Sequence, residues 1–414
     1  MDESITTAAE PQAVTWATLD EWVRGQVQTL VQGLLEEEVT ELLGRCKSQR
    51  RAAVDAAPGY RNGHGEPRHL TLGVGTIAVE RPRVRGVEER FESHVLQAFS
   101  RRTAQVDELL PQLYLHGLSE GDFDLALRGL LGDEAPLSAN TVARLKTKWQ
   151  AERAAWDARP LDKLEPVYLW ADGVYVKAGL EDRKAAILVV IAGLSDGRKV
   201  VVAVQSGHRE STQSWSALLR NLKERGLPCP RLVIADGNMG LWGALRNVYP
   251  EAQEQRCWNH RIVNALDRIG AKDQAVAKDL LRKVGYADTL QEAQKAKGIF
   301  KEWCAQRSYE EAGALLDQDW DRMVTFFEFP KQHWVHLRTT NPVESPFAPL
   351  RLRTAAAKRF KKVENATAVI WKLLLITERK FQRLSAPDLL PLVWEGARFT
   401  NGIPVPDGNQ DAPT

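Results

Sequence analysis

The sequence predicts an α/β protein in which a mixed β-sheet is flanked by helices and followed by an all-helical insertion. Three strand-like stretches lie close together from Pro166 onward, namely VYLWADGVYV, AAILVVIAGL and KVVVAVQSG, and SDGR forms a tight turn between the last two. The stretches ESTQSWSALLRNLKERGL, RLVIADG, NMGLWGALRNVYP and EAQEQRC then alternate helix, strand, helix and strand. Three antiparallel strands followed by this alternation predict a mixed sheet with helices on its faces.

The size and composition of the chain are those of a soluble protein with several domains. Its 414 residues are enough for two or three domains, and 43% of them are apolar and 27% charged. No stretch reaches the roughly 18 uninterrupted apolar residues of a membrane span. The N-terminal MDESITTAAEPQ lacks the basic-then-apolar pattern of a secretory signal. These features predict a cytoplasmic location with no membrane partner.

The four cysteines are scattered along the chain and form no CxxC pair. They are Cys46, Cys229, Cys257 and Cys304. This spacing argues against a disulfide framework and against a four-thiolate zinc site. Reduced thiols are therefore expected.

The N-terminal third begins with a long helix and a small β unit. Apolar residues recur at helical spacing from Thr18 to Arg45, and Gly44 is a plausible stop. A basic loop, RCKSQRRAAVDAAPGYRNGHGEPR, is predicted next. HLTLGVGTIAVERPRVR then alternates like a hairpin, with Gly73 and Gly75 near its turn.

A pair of helices is predicted before the sheet. Ser119 can cap EGDFDLALRGLL, which Gly132 and Asp133 end, and either Ser138 or Asn140 can cap TVARLKTKWQAERAAW. Two helices joined by a short turn, with the second one basic, resemble a DNA-binding helix-turn-helix. An ordinary helical hairpin is an equally good interpretation of this stretch.

The C-terminal half contains a long segment without strand patterns. The segment from Trp258 to about Glu328 reads as helical throughout, a last long helix is predicted from Lys362 to Leu384, and NGIPVPDGNQDAPT is predicted to be disordered. The predicted regions are 1–58 (helical), 59–105 (β unit), 106–160 (helix-turn-helix-like), 161–260 (α/β core, first part), 261–335 (helical insertion), 336–390 (α/β core, last part) and 391–414 (tail).

Two aspartates follow apolar strand sequences, and each is followed by glycine. They are Asp172 in VYLWADG and Asp236 in RLVIADG. Ligands collect at strand ends in open α/β sheets, so the pair predicts a site with two carboxylates. A single Asp-Gly is more simply a turn. Two of them in one sheet favour the paired site.

Glu344 is the best candidate for a third carboxylate. It lies in RTTNPVESPFAPLRLR, where Asn341 can cap a helix and Pro342 can occupy its first turn. Three carboxylates could hold two Mg²⁺ ions at a phosphodiester. Alternatively, Glu344 only complements the helix dipole. No Walker motif, GxGxxG loop or GxSxG elbow is present in the sequence.

A basic run surrounds Glu344. Between residues 338 and 362 there is one acid and there are seven basic residues: Arg338, Arg351, Arg353, Lys358, Arg359, Lys361 and Lys362. Such a run is either a solvated helix face or a groove for a phosphate backbone.

The motifs together resemble those of the bacterial mutator-type transposases, which are insertion-sequence enzymes of the Asp-Asp-Glu class. The resemblance runs from about Leu30 to Leu384 and is carried by GYRNGH, RPRVRG, ADGVYVK, VIADGNMGLWGAL, YPEAQEQRCWNHRIVNAL, TTNPVES and LRLRT. It implies a ribonuclease H-like core with catalytic, metal-binding Asp172, Asp236 and Glu344. It also implies Mg²⁺ as cofactor, which Mn²⁺ can replace.

The sequence RCWNH matches the Cys-x-x-His signature of that family at Cys257 and His260. A zinc site would need two more ligands, and His208 and Cys229 are distant in sequence, so zinc is not favoured. We expect Cys257 to pack in the sheet and His260 to contact a phosphate or an attacking water. Trp258 either stacks on an extruded base or packs in the core.

The resemblance also implies double-stranded DNA as the partner, both at terminal inverted repeats and at the target, and a homodimer that joins two ends. End recognition is predicted before Asp162, by the cations Arg81, Arg83, Arg85, Arg144, Lys146 and Lys148, while Arg338, Arg351, Arg353, Lys358 and Arg359 are predicted to contact DNA near the site. Two alternatives are a ribonuclease H-like nuclease or resolvase and a non-catalytic DNA-binding protein. Pro346 and Pro349 depart from the smoother helix of the family and predict a kinked or divided helix.

Overall fold

The protein is described here from a computed structural model. The structure describes residues 15–51, 53, 58–88, 91–96, 101–115, 118, 125, 128–132, 140–179, 184–207, 211–237 and 239–405. The chain divides into two compact units, Met1–Leu145 and Lys146–Thr414. Each unit is described by itself.

The first unit contains the predicted long helix and the predicted hairpin. The helix spans Leu19–Leu43, and Gly44 ends it in a left-handed conformation with φ +61°. Strands β1 (Tyr60–Leu72) and β2 (Gly75–Arg85) pair antiparallel across the predicted turn. A helix at Ala104–Leu115 completes the described elements that lie wholly in this unit.

The hairpin is longer than the sequence predicts. Strand β1 begins at Tyr60, inside the predicted basic loop, and register shifts between Arg61 and His64 and between His64 and Pro67 break its alternation. Bulges of this kind leave unpaired residues in a strand and hide its period-two pattern. The prediction of a loop was therefore wrong for residues 60–68.

The predicted helix-turn-helix falls largely outside the described residues. Residues 119–124, 126–127 and 133–139 are among those that the structure does not describe. The second helix of the pair is described and spans Asn140–Asp157.

The second unit is built on a five-stranded mixed sheet. Its strands are β3 (Pro166–Lys177), β4 (Lys184–Leu194), β5 (Lys199–Gly207), β6 (Leu232–Ala235) and β7 (Gln253–Arg256). Their order across the sheet is β5-β4-β3-β6-β7. β3 pairs antiparallel with β4, and β4 with β5, whereas β6 is parallel to both β3 and β7. The predicted mixed α/β sheet, including its short fifth strand, is confirmed.

One face of this sheet is covered by the two helices Thr212–Glu224 and Met239–Val248. The predicted apolar face of the first helix is buried: Trp215, Leu218, Leu219 and Leu222. Leu169 and Ala171 of β3 and Val233 and Ala235 of β6 point into the same core. Because side chains alternate along a strand, the intervening positions face the other side of the sheet.

The chain from residue 257 to residue 398, all of it described, contains helices and turns and no strand, as the sequence predicts for its first part. The helices are Trp258–Leu266, Gln274–Gly285, Leu290–Ala305, Glu310–Ala314, Trp320–Val324, Trp334–Leu337, Asn341–Glu344, Phe347–Ala357, Val363–Glu378 and Leu390–Glu395. Short 3-10 turns occur at Trp16–Thr18, Ala271–Asp273, Thr325–Glu328, Lys331–His333 and Pro387–Leu389.

The C-terminal tail is partly ordered. After the helix that ends at Glu395, strands β8 (Phe399–Thr400) and β9 (Ile403–Pro404) form a small hairpin. The lysine Lys331 donates its backbone N–H to the carbonyl of Gly402, which ties the hairpin to the rest of the unit. The prediction of disorder was wrong up to residue 405, and residues 406–414 lie outside the described residues.

No helix among the described residues has both the length and the apolar character needed to cross a membrane.

Two histidines join the segment before Glu344 to the segment after the last long helix. Tyr168 and the carbonyl of Ala386 flank the buried ring of His333, at 2.7 Å from Nδ1 and 3.1 Å from Nε2. The Nε2 atom of His336 accepts the backbone N–H of Ser385 at 3.0 Å. Burial, with Lys199 and His333 nearby, lowers the pKa of His336 to about 4. Burial also lowers the pKa of His333, so both rings are neutral near pH 7.

We expect the free energy of unfolding to fall as the pH drops from about 6.5 to about 4. The unfolded chain binds a proton at His336 first, since its unfolded pKa is near 6.5, and protonation of the folded ring removes the acceptor for Ser385. The titration of His336 should change the free energy of unfolding by on the order of 1 kcal/mol after allowance for solvent screening. Denaturant unfolding across this pH range measures it. His336→Gln keeps an acceptor without a titrating ring and should weaken the pH dependence of the free energy of unfolding. An unchanged pH dependence in this variant would contradict the role given to His336.

Candidate active site

Asp172 and Asp236 each follow a paired residue of two neighbouring parallel strands. Ala171 of β3 is in register with Ala235 of β6, and each aspartate is the next residue. Parallel strands are about 4.8 Å apart. Because Ala171 faces the covered core, alternation turns Asp172 to the opposite face. Asp236 follows the end of β6 and lies close enough to His260 to raise the pKa of that side chain.

The prediction that both aspartates stand at strand ends was wrong for one of them. β3 continues through Asp172 to Lys177, with Asp172 opposite Val189 of β4. β6 ends at Ala235, and its pairing with β3 ends there too. Asp172 therefore lies beside the carboxyl end of β6, although its own strand continues.

The glycine after Asp236 is required by close packing. Gly237 has φ +102°, a region that favours glycine, and an added Cβ would collide with the guanidinium of Arg256. Arg256 is in turn held by Asp319 at 2.5 Å. The residue after the second aspartate is thus fixed by an arginine of the neighbouring strand.

Asp319 is the centre of a half-buried ion-pair network below β7. Its carboxylate accepts from Arg256, from Arg261 at 3.1 Å and from Arg322 at 2.6 Å, while Arg322 also pairs with Glu254 of β7. Burial alone would raise the pKa of Asp319, but the attraction of the arginines, led by Arg256, lowers it below its usual value. The network attaches the helical segment to the strand beside Asp236. The sequence analysis did not find it, because its members are spread over 69 positions, from residue 254 to residue 322.

Glu344 is delivered to the same side of the sheet by a short helix. The helix Asn341–Glu344 packs against β3 and β4, and Thr340 is its N-cap, one residue before the predicted cap Asn341. Pro346 caps a second helix, Phe347–Ala357, which contains Pro349 in its first turn. The two prolines thus divide the element into two helices, and Glu344 stands at the end of the first.

His260 lies next to Glu344. Its Nδ1 is 3.8 Å from the Glu344 carboxylate, and the two side chains are 37% and 28% exposed. A hydrogen bond with Cys257 is the main cause that raises the pKa of His260 to about 9, with smaller contributions from Glu344 and Asp236 and an opposing effect of burial. His260 is therefore positively charged at neutral pH and sits among the predicted carboxylates.

Thr340 is a member of this cluster that the sequence analysis missed. It is fully buried, and its hydroxyl contacts the Glu344 carboxylate, the sulfur of Cys257 at 3.2 Å and Nδ1 of His260 at 3.5 Å. Its backbone N–H also points at the Cys257 sulfur, at 3.3 Å. The only signal in the sequence was its place in TTNPVES, which carried the family resemblance as a whole.

Trp258 is a core residue in this structure. Its ring is fully buried, its indole N–H donates to the carbonyl of Met323 at 2.8 Å, and Trp320 contacts it edge-on. A base can stack only on an exposed ring face. The geometry supports the core-packing interpretation over stacking on an extruded base.

The basic run around Glu344 is divided between interior and surface. Arg353 is buried, and the half-buried Arg338 lies over the rings of Tyr286, Phe326 and Trp334 and donates to the carbonyl of Ala287. These two side chains do not face solvent as phosphate contacts require. Arg351, Lys358 and Arg359 are exposed.

The predicted DNA-binding cations before Asp162 are mostly at the surface. Arg83, Arg85, Arg144 and Lys148 are exposed, whereas Arg81 and Lys146 are half-buried. Arg81 donates to the carbonyl of Phe91. With Arg68, Arg83 and Arg85 it lines a groove of about 450 Å³ on the hairpin.

Comparison with known proteins decides the family. The sequence model described as "Transposase, Mutator family" matches residues 2–383. The chain belongs to the Mutator family of transposases. It is 41% identical to the transposase for insertion sequence element IS6120 from Mycolicibacterium smegmatis, over 72% of this chain and 92% of that protein. It is 37% identical to the transposase for insertion sequence element IST2 from Acidithiobacillus ferrooxidans, over 69% and 99% of the two chains.

The match to a third transposase covers more of the chain. The transposase for insertion sequence element ISRM5 from Rhizobium meliloti is 29% identical over 87% of this chain and 88% of its own length. The family resemblance seen in the sequence motifs is thereby confirmed, and the chain is a DNA-transposing enzyme.

Proposed function

We propose that this transposase cuts and joins DNA strands at an Asp-Asp-Glu site made by Asp172, Asp236 and Glu344. The observation that carries the proposal is the register of β3 and β6, in which Ala171 pairs with Ala235 and each aspartate is the next residue. Glu344 lies on a helix packed against β3 and β4, and both Glu344 and Asp236 act on the pKa of His260, which supports a shared site. The strand order, with three antiparallel strands followed by two parallel ones, supports a ribonuclease H-like core.

The residues fit a site for Mg²⁺, or for Mn²⁺ in its place. Carboxylate oxygens are the ligands that these hard cations prefer, and all three carboxylates are partly exposed, so water and phosphate can complete the coordination. When bound, such ions activate an attacking oxygen and stabilise a leaving one at phosphorus.

The protein groups around the carboxylates have separate tasks in this proposal. A charged His260 donates a hydrogen bond to the scissile phosphate, because its pKa of about 9 keeps it protonated at neutral pH. The Thr340 hydroxyl, which contacts Glu344, orients that carboxylate. The nucleophile is water in the cleavage step and the freed 3′-hydroxyl in the joining step, so no covalent protein–DNA intermediate is required.

The regions before the sheet are proposed to recognise the terminal inverted repeats. Their assigned extents are 1–58, 59–105 and 106–160, ahead of a core formed by 161–260 and 336–390 around the insertion 261–335. Two element ends must be brought together for joining, so we propose a homodimer on DNA. Target DNA is proposed to contact the exposed Arg351, Lys358 and Arg359.

Mg²⁺-dependent cleavage tests the proposal directly. The purified chain is incubated with DNA that carries the ends of the candidate element, with Mg²⁺, with Mn²⁺ or with a chelator. We expect nicks at the element termini and joined products with either metal and none with the chelator. DNA binding without any cleavage would favour the non-catalytic alternative, and cleavage at branched DNA irrespective of end sequence would favour the nuclease or resolvase.

The hairpin groove is proposed as a contact for the DNA backbone. Arg68 and Arg81 line it, and burial together with the charges of Arg101 and Arg81 lowers the pKa of Arg68. Arginines held this close repel one another, and binding of a polyanion such as the DNA backbone would relieve that repulsion.

We expect the double variant Arg83→Gln and Arg85→Gln to weaken binding to DNA of any sequence. Each lost phosphate contact should reduce the slope of log affinity against log salt by about 0.9, so the pair should reduce it by about 1.8. Titrations at several salt concentrations give the slope. Arg282→Gln, an exposed arginine of the helix Gln274–Gly285, is the matched control. Equal slopes for the double variant and the wild type would remove the groove from the DNA interface.

A further inference from the structure

A thiol, an imidazole and a carboxylate lie close together beside the carboxylate pair. Sγ of Cys257, a ring nitrogen of His260 and a carboxylate oxygen of Glu344 all lie within 4.8 Å of one another. In the sequence, Cys257 and His260 supplied only two of the four ligands that a zinc site needs. The fold supplies Glu344 from 84 positions beyond His260, since 344 − 260 = 84.

We propose that Cys257, His260 and Glu344 form a Zn²⁺ site, and that its occupation withdraws Glu344 from the catalytic carboxylates and inhibits cleavage. The inhibitory part rests on the proposed function, whereas zinc binding does not. One sulfur, one imidazole nitrogen and one carboxylate oxygen suit Zn²⁺ and not Mg²⁺, which takes oxygen ligands. Three protein ligands leave a fourth position open to water.

The distances are close to those that zinc requires. Bond lengths of about 2.0–2.2 Å to nitrogen and oxygen place two tetrahedral ligands about 3.4 Å apart. The measured separation between Nδ1 of His260 and the Glu344 oxygen is 3.8 Å. This pair would need to close by about 0.4 Å, and the Cys257 sulfur lies within 4.8 Å of a ring nitrogen of His260 and of a Glu344 carboxylate oxygen.

Two features of the fold place partial positive charge beside the Cys257 sulfur. The backbone N–H of Thr340 points at the sulfur at 3.3 Å, and Cys257 is the N-cap of the helix Trp258–Leu266. Zinc ligands must be deprotonated, so binding releases the thiol proton of Cys257 and the imidazolium proton of His260 to the buffer.

The hydroxyl of Thr340 lies among the three ligands. It contacts all of them, but its one hydrogen cannot be donated to both the Cys257 sulfur and the Glu344 carboxylate at once. A cation bound by the three ligands satisfies both of these acceptors together.

Zinc binding is measured on the full-length chain, without a histidine tag, after equilibrium dialysis against Zn²⁺ and elemental analysis. We expect about one zinc ion per chain for the wild type, in line with a single three-ligand site. Cys257→Ser, His260→Gln and Glu344→Gln should each lower the zinc affinity by at least about ten-fold, since even second-shell changes cost 10–100-fold. Substitution with Co²⁺ should give a thiolate charge-transfer band that is lost in Cys257→Ser.

Two variants serve as matched controls. Cys304→Ser changes another fully buried cysteine and should keep the zinc. Asp172→Asn removes a proposed Mg²⁺ ligand and should also keep it. Circular dichroism and thermal melting of each variant exclude unfolding as the cause of a loss.

Inhibition by zinc is measured as a ratio of cleavage rates at fixed Mg²⁺. For each variant, the rate with equimolar Zn²⁺ is divided by the rate of the same variant without zinc. The wild type should lose most of its cleavage, and Cys257→Ser should lose little. A wild type that binds no zinc, or a Cys257→Ser variant that binds it equally, overturns the zinc site. Zinc that binds without changing cleavage overturns the inhibition only. A chain that never cleaves DNA but binds zinc contradicts the proposed function and the inhibition and leaves the zinc site standing.

Discussion

Asp172→Asn is expected to reduce Mg²⁺-dependent strand cleavage by at least about 1,000-fold, because loss of one metal-binding carboxylate removes several kcal/mol of transition-state stabilisation. The asparagine keeps the shape of the side chain and can still accept the Gly173 N–H, which now bonds Oδ1 at 2.7 Å. Folding and DNA affinity should therefore change little. Cleavage of labelled element ends, with binding measured on the same DNA, separates the two quantities.

The sheet itself offers a matched control. Asp196-Gly197 is another Asp-Gly pair, but it forms the turn between β4 and β5, where Asp196 accepts the Arg198 N–H at 2.9 Å. Asp196→Asn should leave cleavage unchanged, and Asp236→Asn should behave like Asp172→Asn. Cleavage retained in Asp172→Asn, or lost equally in Asp196→Asn, would count against the paired-carboxylate site.

Asp319→Asn is expected to lower the free energy of unfolding by about 2–3 kcal/mol, between the cost of breaking a surface ion pair and that of breaking a fully buried one, because the network is half-buried. The change leaves Arg256 and Arg261 without a carboxylate, and Arg261 is only 1% exposed. Asparagine tolerates the left-handed backbone at this position, where φ is +61°, so strain does not add to the effect. Urea unfolding followed by circular dichroism measures the loss.

Asp317 is the matched control for this charge change. It stands two residues earlier and pairs with Lys297 and Lys301 at 2.9 and 2.6 Å, but its side chain is 47% exposed. Asp317→Asn should cost no more than about 1 kcal/mol, as surface ion pairs do. Similar losses for the two variants would show that the burial of the network is not what gives it its strength.

The two predictions test different parts of the same edge of the sheet. Asp172 is proposed to act on the substrate, whereas Asp319 acts through Arg256, whose guanidinium packs over Gly237. A partly folded Asp319→Asn variant should lose cleavage only in proportion to its unfolded fraction. A fully folded variant with reduced cleavage would indicate that the network also positions Asp236.

Local patterns in the sequence determined most of the fold. The 3.6-residue period of Leu19–Leu43, the apolar runs of β3 to β6 and the turn SDGR each record an interaction between near neighbours in the chain. The order of strands and helices, and the placement of both aspartates after apolar runs, follow from these patterns. The predictions failed where local order was interrupted, as at the bulges of β1, and in the tail, where backbone hydrogen bonds to distant residues order a segment that composition alone assigns to disorder.

The tertiary structure alone decided which side chains share a site and which are buried. The sequence by itself determined the element order, the two Asp-Gly positions, the start of a helix near Glu344 and the family motifs. Only the fold placed Thr340 and Glu344 against Cys257 and His260, buried Trp258 and assembled the arginines around Asp319. The physical reason is that these contacts join residues that are tens of positions apart, so their energies depend on the packing of helices on the sheet and leave no periodic signal along the chain.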